Sequence, residues 1–323
     1  MAVKNLLIPL IIIQSCTQLF SQTFSTAQDQ VMANFEKVTP IPKRITFQNT
    51  LEINNKGGHL QGIQLLNYKQ KEYYVVSGSS ETYSYYSIVK VGKENIVISI
   101  NKILEAPFKH AGGFQIWENL MAIGVEDNAA KNKSKVFIFD IDNPERPPKE
   151  PLAVIDRFGT FKRATAGCVG IVEITNKVVV VVGDWDTEHL DFYRIDRERL
   201  FEEGPTLELE YSINTKNMDK SGWIDKSWLS YQNINLIKSE NNTLYLAGLT
   251  ANQLGEDILD LFIIESVDLS TFKLQKIYTR TFAKNDLTTF RWGAGIAVKE
   301  HQHISILSSC ENIQHESAIQ IYE

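Results

Sequence analysis

Short runs of alternating apolar and polar residues recur in a fixed order along residues 44–323. The clearest copy reads HAGGFQIWENLMAIGVED (110–127), followed by SKVFIFDI (134–141). It contains a small-residue start, a short strand, a turn at Glu118 and Asn119, a second strand with a glycine near its end, an acidic loop and a third strand. This succession of short strands and turns predicts an all-β protein and excludes a parallel sheet with crossover helices.

The same order occurs five times, which indicates an internal repeat. Each first strand has a landmark near its start, and these landmarks are 51, 57, 63 and 62 residues apart: Gly62, Gly113, Gly170, Asn233 and Gly295. A second set of landmarks falls near the end of each second strand: Gly78, Gly124, Gly183, Gly248 and Ser308. Glycine suits the first set because a side chain there would crowd the neighbouring repeat near a common axis.

Four copies continue into a fourth alternating stretch, whereas the fifth copy ends at Glu323 without one. The strand-like segment RITFQN (44–49) stands before the first copy and has no repeat of its own. Four-stranded units with periodic glycines predict a five-bladed β-propeller. RITFQN is expected to be the outer strand of the last blade, closing the ring and covering an edge. A pair of β-sandwiches is the alternative.

The first residues are typical of an export signal. Lys4 precedes the apolar run LLIPLIII (6–13), which is too short to span a bilayer. Cleavage after Ser21 would give a secreted protein, and acylation of Cys16 would give a lipoprotein attached to the membrane only by its lipid. A retained N-terminal membrane helix is the third alternative. The predicted organisation is an export signal, a lead-in and a single propeller domain: residues 1–21, 22–43 and 44–323.

Composition excludes several other classes of protein. The 323 residues include 33 Lys+Arg and 39 Asp+Glu, so the formal net charge is −6, and 43% of the residues are hydrophobic. The apolar fraction is too high for a disordered chain. The mild acidity offers no general attraction for nucleic acid. Three cysteines are too few for a disulfide scaffold.

One segment carries a family resemblance. SKVFIFDIDNPERP (134–147) resembles the third strand of LVIVD-type repeats in secreted bacterial propellers, where the strand ends in Asp and a D-x-x-P-like turn follows. The resemblance is specific over this one blade and loose over the others. It implies a propeller outside the cytoplasm and no particular activity, because a fold does not fix a function.

Propeller topology places two sets of loop residues around one mouth of the central channel. The residues before or at the start of the first strands are His59, His110, Arg163, Tyr231, Arg291 and Trp292. The residues after the second strands are Glu126, Asp127, Asp184, Asp186 and Glu311. We expect a ligand site here, with Trp292 or Tyr231 stacked on a flat apolar face and the histidines and acids bonded to hydroxyl groups. The alternative is that these residues only stabilise turns and tie blades together.

These observations favour an exported binding or scaffold module whose ligand is a carbohydrate, a small molecule or a cell-envelope protein. The alternative is a secreted glycosidase-like hydrolase, which would need two carboxylates about 5–9.5 Å apart at the same mouth. A purely structural propeller is the third hypothesis. No catalytic residue, metal ligand or cofactor is predicted, although the oxygen-rich loops 126–135 and 184–191 are candidates for calcium.

Overall fold

The computed structural model describes residues 24–265, 272–299 and 303–323, so the predicted export signal and Cys16 lie outside the described residues. The described chain opens with one helix, α1 (Phe24–Lys37), and the strand β1 (Lys43–Gln48). Two short 3-10 helices occur later, at Trp185–Thr187 and Arg199–Phe201. The all-β prediction is confirmed, because strands make up most of the regular structure.

The remaining strands follow the predicted repeats. The first copy contains β2 (Leu60–Tyr68), β3 (Lys71–Ser79), β4 (Tyr83–Lys90) and β5 (Ile96–Glu105). The second contains β6 (His110–Trp117), β7 (Leu120–Glu126), β8 (Lys133–Asp140) and β9 (Ala153–Phe158). The third contains β10 (Cys168–Ile174), β11 (Lys177–Gly183), β12 (His189–Asp196) and β13 (Glu208–Asn214). The fourth contains β14 (Asn233–Lys238), β15 (Leu244–Ala251), β16 (Asp257–Ile264) and β17 (Leu274–Phe282), and the fifth β18 (Ala294–Val298), β19 (Ile304–Ser309) and β20 (Glu316–Tyr322).

Strands within each copy pair with their sequence neighbours in antiparallel register. The last copy has a fourth strand that comes from the start of the described chain. β1 pairs antiparallel with β20, from Lys43 opposite Ile321 to Gln48 opposite Glu316. The pairing joins the two ends of the described chain and covers the edge of β20.

Neighbouring copies approach most closely at their first strands. β6 and β10 are bridged in parallel at Gly113 and Cys168, and β2 and β18 at Gly62 and Ala294. A Cβ atom added to Gly295 would lie 1.8 Å from the carbonyl oxygen of Ile63. No side chain fits at such a distance, so glycine is a steric requirement here.

Buried amide side chains connect copies across this centre. Oε1 of Gln115 accepts hydrogen bonds from the N–H groups of Ile171 (2.9 Å) and Leu236 (2.8 Å), and Nε2 donates to the carbonyl oxygen of Leu236 (2.7 Å). Nδ2 of Asn233 donates to the carbonyl oxygen of Gln61 at 2.9 Å. Residues far apart in sequence are therefore fixed to each other by directional bonds that apolar packing alone would not supply.

The helix α1 was not predicted, because residues 22–43 were assigned only as a lead-in. Val31 and Phe35 of the helix, and Val38 just after it, are buried in the same apolar cluster as Phe290 and Tyr322. The helix thus packs against residues of the fourth and fifth copies. No helix among the described residues is long and apolar enough to cross a membrane.

The close approach of the first strands makes Gly295 a test of the fold. We expect Gly295→Ala to lower the free energy of unfolding by about 1–3 kcal/mol, because the backbone of β2 must shift to admit the methyl group. Gly92→Ala is the matched control, since an added Cβ there meets its nearest neighbour at 3.8 Å, and we expect a change within about 0.5 kcal/mol. Equal effects in urea unfolding would contradict the steric argument.

Candidate functional site

A cavity of about 370 Å³ opens at one end of the inner strands. It lies where the first strand of a copy begins and the second ends, because these ends are neighbours in an antiparallel pair. Seven of the residues predicted from sequence line it: His59, His110, Glu126, Asp184, Asp186, Tyr231 and Arg291. The fold therefore brings imidazole, carboxylate and phenol groups from four copies to one place.

Two histidines of the cavity share one glutamine side chain. Nε2 of Gln61 lies 2.9 Å from Nε2 of His110, and 3.0 and 3.1 Å from Nδ1 and Nε2 of His59. Nδ1 of His59 lies 2.8 Å from the carbonyl oxygen of Leu60, which can only accept, so this nitrogen carries the ring proton. Because an amide nitrogen carries two N–H groups, Gln61 can donate one to each imidazole. The glutamine side chain thus links the two rings.

Glu126 is fully buried beside this pair. Its Oε1 lies 3.2 Å from Nδ1 of His110, an approach without the alignment of a good hydrogen bond. Its Oε2 accepts a hydrogen bond of 2.9 Å from the N–H of Ala166. Through this bond the carboxylate ties the second copy to the third, and its other oxygen lies beside the ring of His110.

Asp184 repeats this arrangement one copy further on. Its Oδ1 accepts the backbone N–H of His189 at 2.8 Å, and its Oδ2 lies 2.7 Å from Nδ1 of the same residue. Nε2 of His189 lies 3.1 Å from Nδ2 of Asn214. Burial raises the pKa of the Asp184 carboxyl above its ordinary value, and the bonds from His189 oppose that rise. The carboxyl group holds the ends of the turn that runs from 184 to 189.

That turn is strained at two residues. Asp186 has φ 62° and Thr187 has φ 51°, a region that costs roughly 1–3 kcal/mol for a residue with a side chain and is least favourable for a β-branched one. The carbonyl oxygen of Thr187 accepts hydrogen bonds from Nε1 of Trp228 (3.0 Å) and Oγ1 of Thr215 (3.2 Å). Strain of this kind persists only where the surroundings hold it, and it is frequent at functional sites.

The strained turn carries Trp185, whose ring forms part of the cavity wall. Nζ of Lys131 lies 3.5 Å from the ring centroid, a cation–π contact on one face. The ring of His110 lies 6.4 Å away, centroid to centroid. The next residue, Asp186, is paired with Lys162 at 3.0 Å. Trp185 is thus a half-buried aromatic surface fixed beside the histidine pair.

Tyr231 offers its ring rather than its hydroxyl group to the cavity. The hydroxyl donates a hydrogen bond of 2.5 Å to Oδ2 of Asp260, which is fully buried. Burial and the adjacent Asp260 carboxylate raise the pKa of Tyr231 well above its ordinary value. The phenol therefore stays protonated, and it serves as an aromatic wall.

Two predicted residues form structural contacts next to the cavity. Arg163 pairs with both oxygens of Asp191, at 2.6 and 2.7 Å. Burial would raise the pKa of Asp191, but the bonds from Arg163 and Arg157 outweigh it and lower that pKa. Oδ1 of Asp127 accepts the N–H groups of residues 129 and 130, so this carboxylate caps its own loop.

The remaining two predicted residues, Trp292 and Glu311, line a different cavity of about 320 Å³ that includes Arg44. The structure therefore does not bring Trp292 to the wall that Trp185 and Tyr231 form. Sequence analysis had placed it there because it precedes a first strand. Trp185 was not predicted to belong to the site, although it lies between the predicted residues Asp184 and Asp186.

Other wall residues were not singled out from sequence: Gln61, Asn128, Gln232 and Thr250. Gln61 lies directly before the landmark Gly62, so its position on the repeat was a usable signal. No sequence feature other than their position in loops at the mouth distinguished Asn128 and Gln232 as site residues. Among the described residues, no three His, Cys, Asp or Glu side chains are placed to hold a metal ion, and this includes the two loops considered for calcium.

Comparison with known proteins shows similarity of fold only. No family model matches the chain, and a search of curated proteins finds no match. A solved GH43_1 enzyme from Xanthomonas citri is 9% identical, with a TM-score of 0.50 over 91% of this chain and 92% of that one. The catalytic domain of a GH62 α-L-arabinofuranosidase from Coprinopsis cinerea is 10% identical, with a TM-score of 0.46 over 86% and 96%. The first similarity supports a β-propeller fold.

The buried histidine pair predicts a pH dependence of stability. Burial lowers the pKa of His59 below 6.5, its ordinary value, so the unfolded chain binds more protons than the folded chain as the pH falls below 6.5. The contribution of His59 is therefore fully present above that pH and is lost as the pH falls through the folded pKa. We expect the free energy of unfolding of His59→Gln, measured from pH 8 to 5, to fall less steeply than that of the wild type.

The exposed His315 gives the matched control. We expect His315→Gln to keep the wild-type slope in the same series of unfolding curves. If His59→Gln and the wild type run parallel across the range, burial of His59 is not coupled to protonation and the argument is wrong.

Proposed function

We propose that the chain is a five-bladed β-propeller whose last blade is closed by β1, and that its mouth cavity binds an uncharged saccharide. Support for the architecture comes from the antiparallel four-stranded copies and from the pairing of β1 with β20. The observation that carries the site is the convergence of a fixed indole, a phenol ring, two imidazoles and amide groups on one cavity.

The groups that face the cavity suit a ligand with many hydroxyls and no net charge. Gln61, Asn128 and Gln232 supply neutral donors and acceptors, while Trp185 and Tyr231 supply apolar faces. Lys131 covers one face of Trp185, so the sugar ring packs on the other. A few polar groups set against aromatic walls are the usual composition of a small-ligand pocket.

We place hydrolysis of the bound glycoside first among the candidate functions of this cavity, ahead of a purely structural role. The solved structure that resembles the chain with a TM-score of 0.50 is named as a GH43_1 enzyme. Within the chain, Glu126 and Asp184 put two buried carboxylates on the same cavity. The raised pKa of Asp184 is the property that a proton donor to the leaving group needs. Binding without turnover remains the second candidate.

Removal of the Trp185 side chain tests saccharide binding. We expect Trp185→Ala to weaken binding of an arabinose- or xylose-containing oligosaccharide at least about tenfold in calorimetric titration, because an aromatic wall is lost. Trp292→Ala makes the same chemical change in the separate cavity and should bind as the wild type does. If Trp292→Ala loses binding while Trp185→Ala keeps it, the saccharide binds beside Trp292 and the site proposed at Trp185 is wrong.

A turnover assay separates hydrolysis from binding. With a panel of 4-nitrophenyl glycosides, we expect Glu126→Gln to lower kcat by at least about a hundredfold while Kd changes little. The amide oxygen of the variant can still accept the N–H of Ala166. Asp127→Asn is the control, because that carboxylate caps its loop and pairs with Lys133 at 3.5 Å but does not line the cavity. If the wild-type protein binds a saccharide but releases 4-nitrophenol from none of these substrates, hydrolysis is excluded for the panel and binding without turnover is the function that stands.

We also propose that the protein is exported, since Lys4 and the apolar run 6–13 are typical of a secretory signal. The mass of the exported protein distinguishes a chain cleaved after Ser21 from one acylated at Cys16.

A further inference from the structure

Residues 213–228 run from the end of β13 towards β14, between the third and fourth copies, and carry Trp223 and Trp228. We call this segment the insertion. We infer that this insertion is a positioning element of the mouth cavity, and that Trp228 and Lys276 set the placement of Trp185 and Tyr231. The inference deepens the proposed function, because it assigns the shape of that saccharide site to a segment that does not line it.

The first connection runs from Trp228 to the strained turn. The indole Nε1 of Trp228 donates to the carbonyl oxygen of Thr187 at 3.0 Å. Thr215, at the other end of the insertion, donates from Oγ1 to the same oxygen at 3.2 Å and from its backbone N–H to the carbonyl oxygen of Glu188 at 2.9 Å. Both ends of the insertion therefore bind Thr187, the β-branched residue of the turn, whose φ is 51°. Trp185 lies two positions before it.

The second connection runs through a buried charge cluster to Tyr231. Lys276 is 1% exposed, and its Nζ lies 2.9 Å from Oδ2 of Asp260 and 3.0 Å from Oδ2 of Asp225. Asp260 accepts the hydroxyl hydrogen of Tyr231. Asp225 and Ser227 belong to the insertion, and Oγ of Ser227 lies 2.9 Å from the same Nζ. One ammonium group thus binds both the insertion and the carboxylate that fixes the wall tyrosine.

Ring packing joins the two connections. The ring of Trp228 stands edge-on to Tyr231, with centroids 4.9 Å apart, and lies 5.1 Å from Phe262. The N–H of Tyr231 donates to Oγ1 of Thr187 at 3.2 Å. The two aromatic walls of the cavity are therefore linked to each other and to the same tryptophan. We therefore expect a displacement of Trp228 to move both Trp185 and Tyr231, because each is connected to the Trp228 side chain.

The test removes one donor and keeps the ring. Trp228→Phe retains apolar packing but loses the bond to Thr187. We expect amide hydrogen exchange of Thr187 and of Trp185 to accelerate about fivefold or more, because one hydrogen bond that holds the turn is gone. We also expect the oligosaccharide used for the Trp185 variant to bind about tenfold more weakly.

Trp223→Phe is the matched control. It makes the same change in the same insertion and removes a bond from Nε1 of Trp223 to the carbonyl oxygen of Leu274 (2.8 Å), which does not lead to the strained turn. We expect a comparable loss of thermal stability with unchanged exchange at Thr187 and unchanged binding. This comparison separates positioning from a general loss of stability.

The outcomes are distinct from those of the proposed function. Unchanged exchange at Thr187 and Trp185 in Trp228→Phe overturns the positioning role whether or not a saccharide binds. If exchange at these amides is faster but the variant binds the oligosaccharide as tightly as the wild type, the insertion positions the turn without affecting saccharide binding, and the second half of the proposal is wrong. If no saccharide binds the wild-type protein, the proposed function fails, and the exchange measurement still decides whether the insertion positions the turn.

Discussion

The close approach of the first strands at the centre is the constraint on which the rest of the structure depends. A Cβ on Gly295 would lie 1.8 Å from the carbonyl oxygen of Ile63, and one on Gly113 would lie 2.3 Å from that of Gln232. Backbones this close leave room for glycine and for the few amide groups that bridge them. Asn233, which stands where the other copies have glycine, donates across the centre to Gln61. The same closeness brings the strand ends together and so forms the mouth.

Burying carboxylates at such a mouth is costly unless each one is paired and hydrogen-bonded. Asp184 meets this requirement with both oxygens, since Oδ2 lies 2.7 Å from Nδ1 of His189 and Oδ1 accepts the backbone N–H of the same residue. Glu126 meets it with one oxygen, which accepts the N–H of Ala166, while the other lies 3.2 Å from Nδ1 of His110 without a good hydrogen bond. Each acid therefore fixes a segment of backbone beside a histidine, and a ligand meets these parts of the cavity wall already formed.

Sequence patterns anticipate the strands well because glycine spacing and alternation reflect the same backbone constraint that builds them. Topology also identifies which loop ends share a mouth, and His59, His110, Glu126 and Tyr231 line one cavity as that reasoning expects. Side-chain direction does not follow from topology. Arg163 turns to Asp191, and Trp292 lines another cavity, because local partners that are distant in sequence decide each case. Trp185 depends on a positive φ at Asp186 and Thr187, which neither residue type signals.

The buried Lys276 contributes both to the packing of the fold and to the geometry of the cavity. Burial opposes ionisation of Asp225, yet the bonds from Ser227 and Lys276 lower its pKa to about 2. An ammonium group with two carboxylates and a phenol around it is balanced only while all of them are present, since loss of one partner leaves an uncompensated charge. An apolar cluster of the same volume would often be as stable. The charged cluster differs from an apolar one in that its hydrogen bonds are directional. Lys276 fixes the position of Asp260, and Asp260 in turn fixes the hydroxyl group and hence the ring of Tyr231 at the mouth.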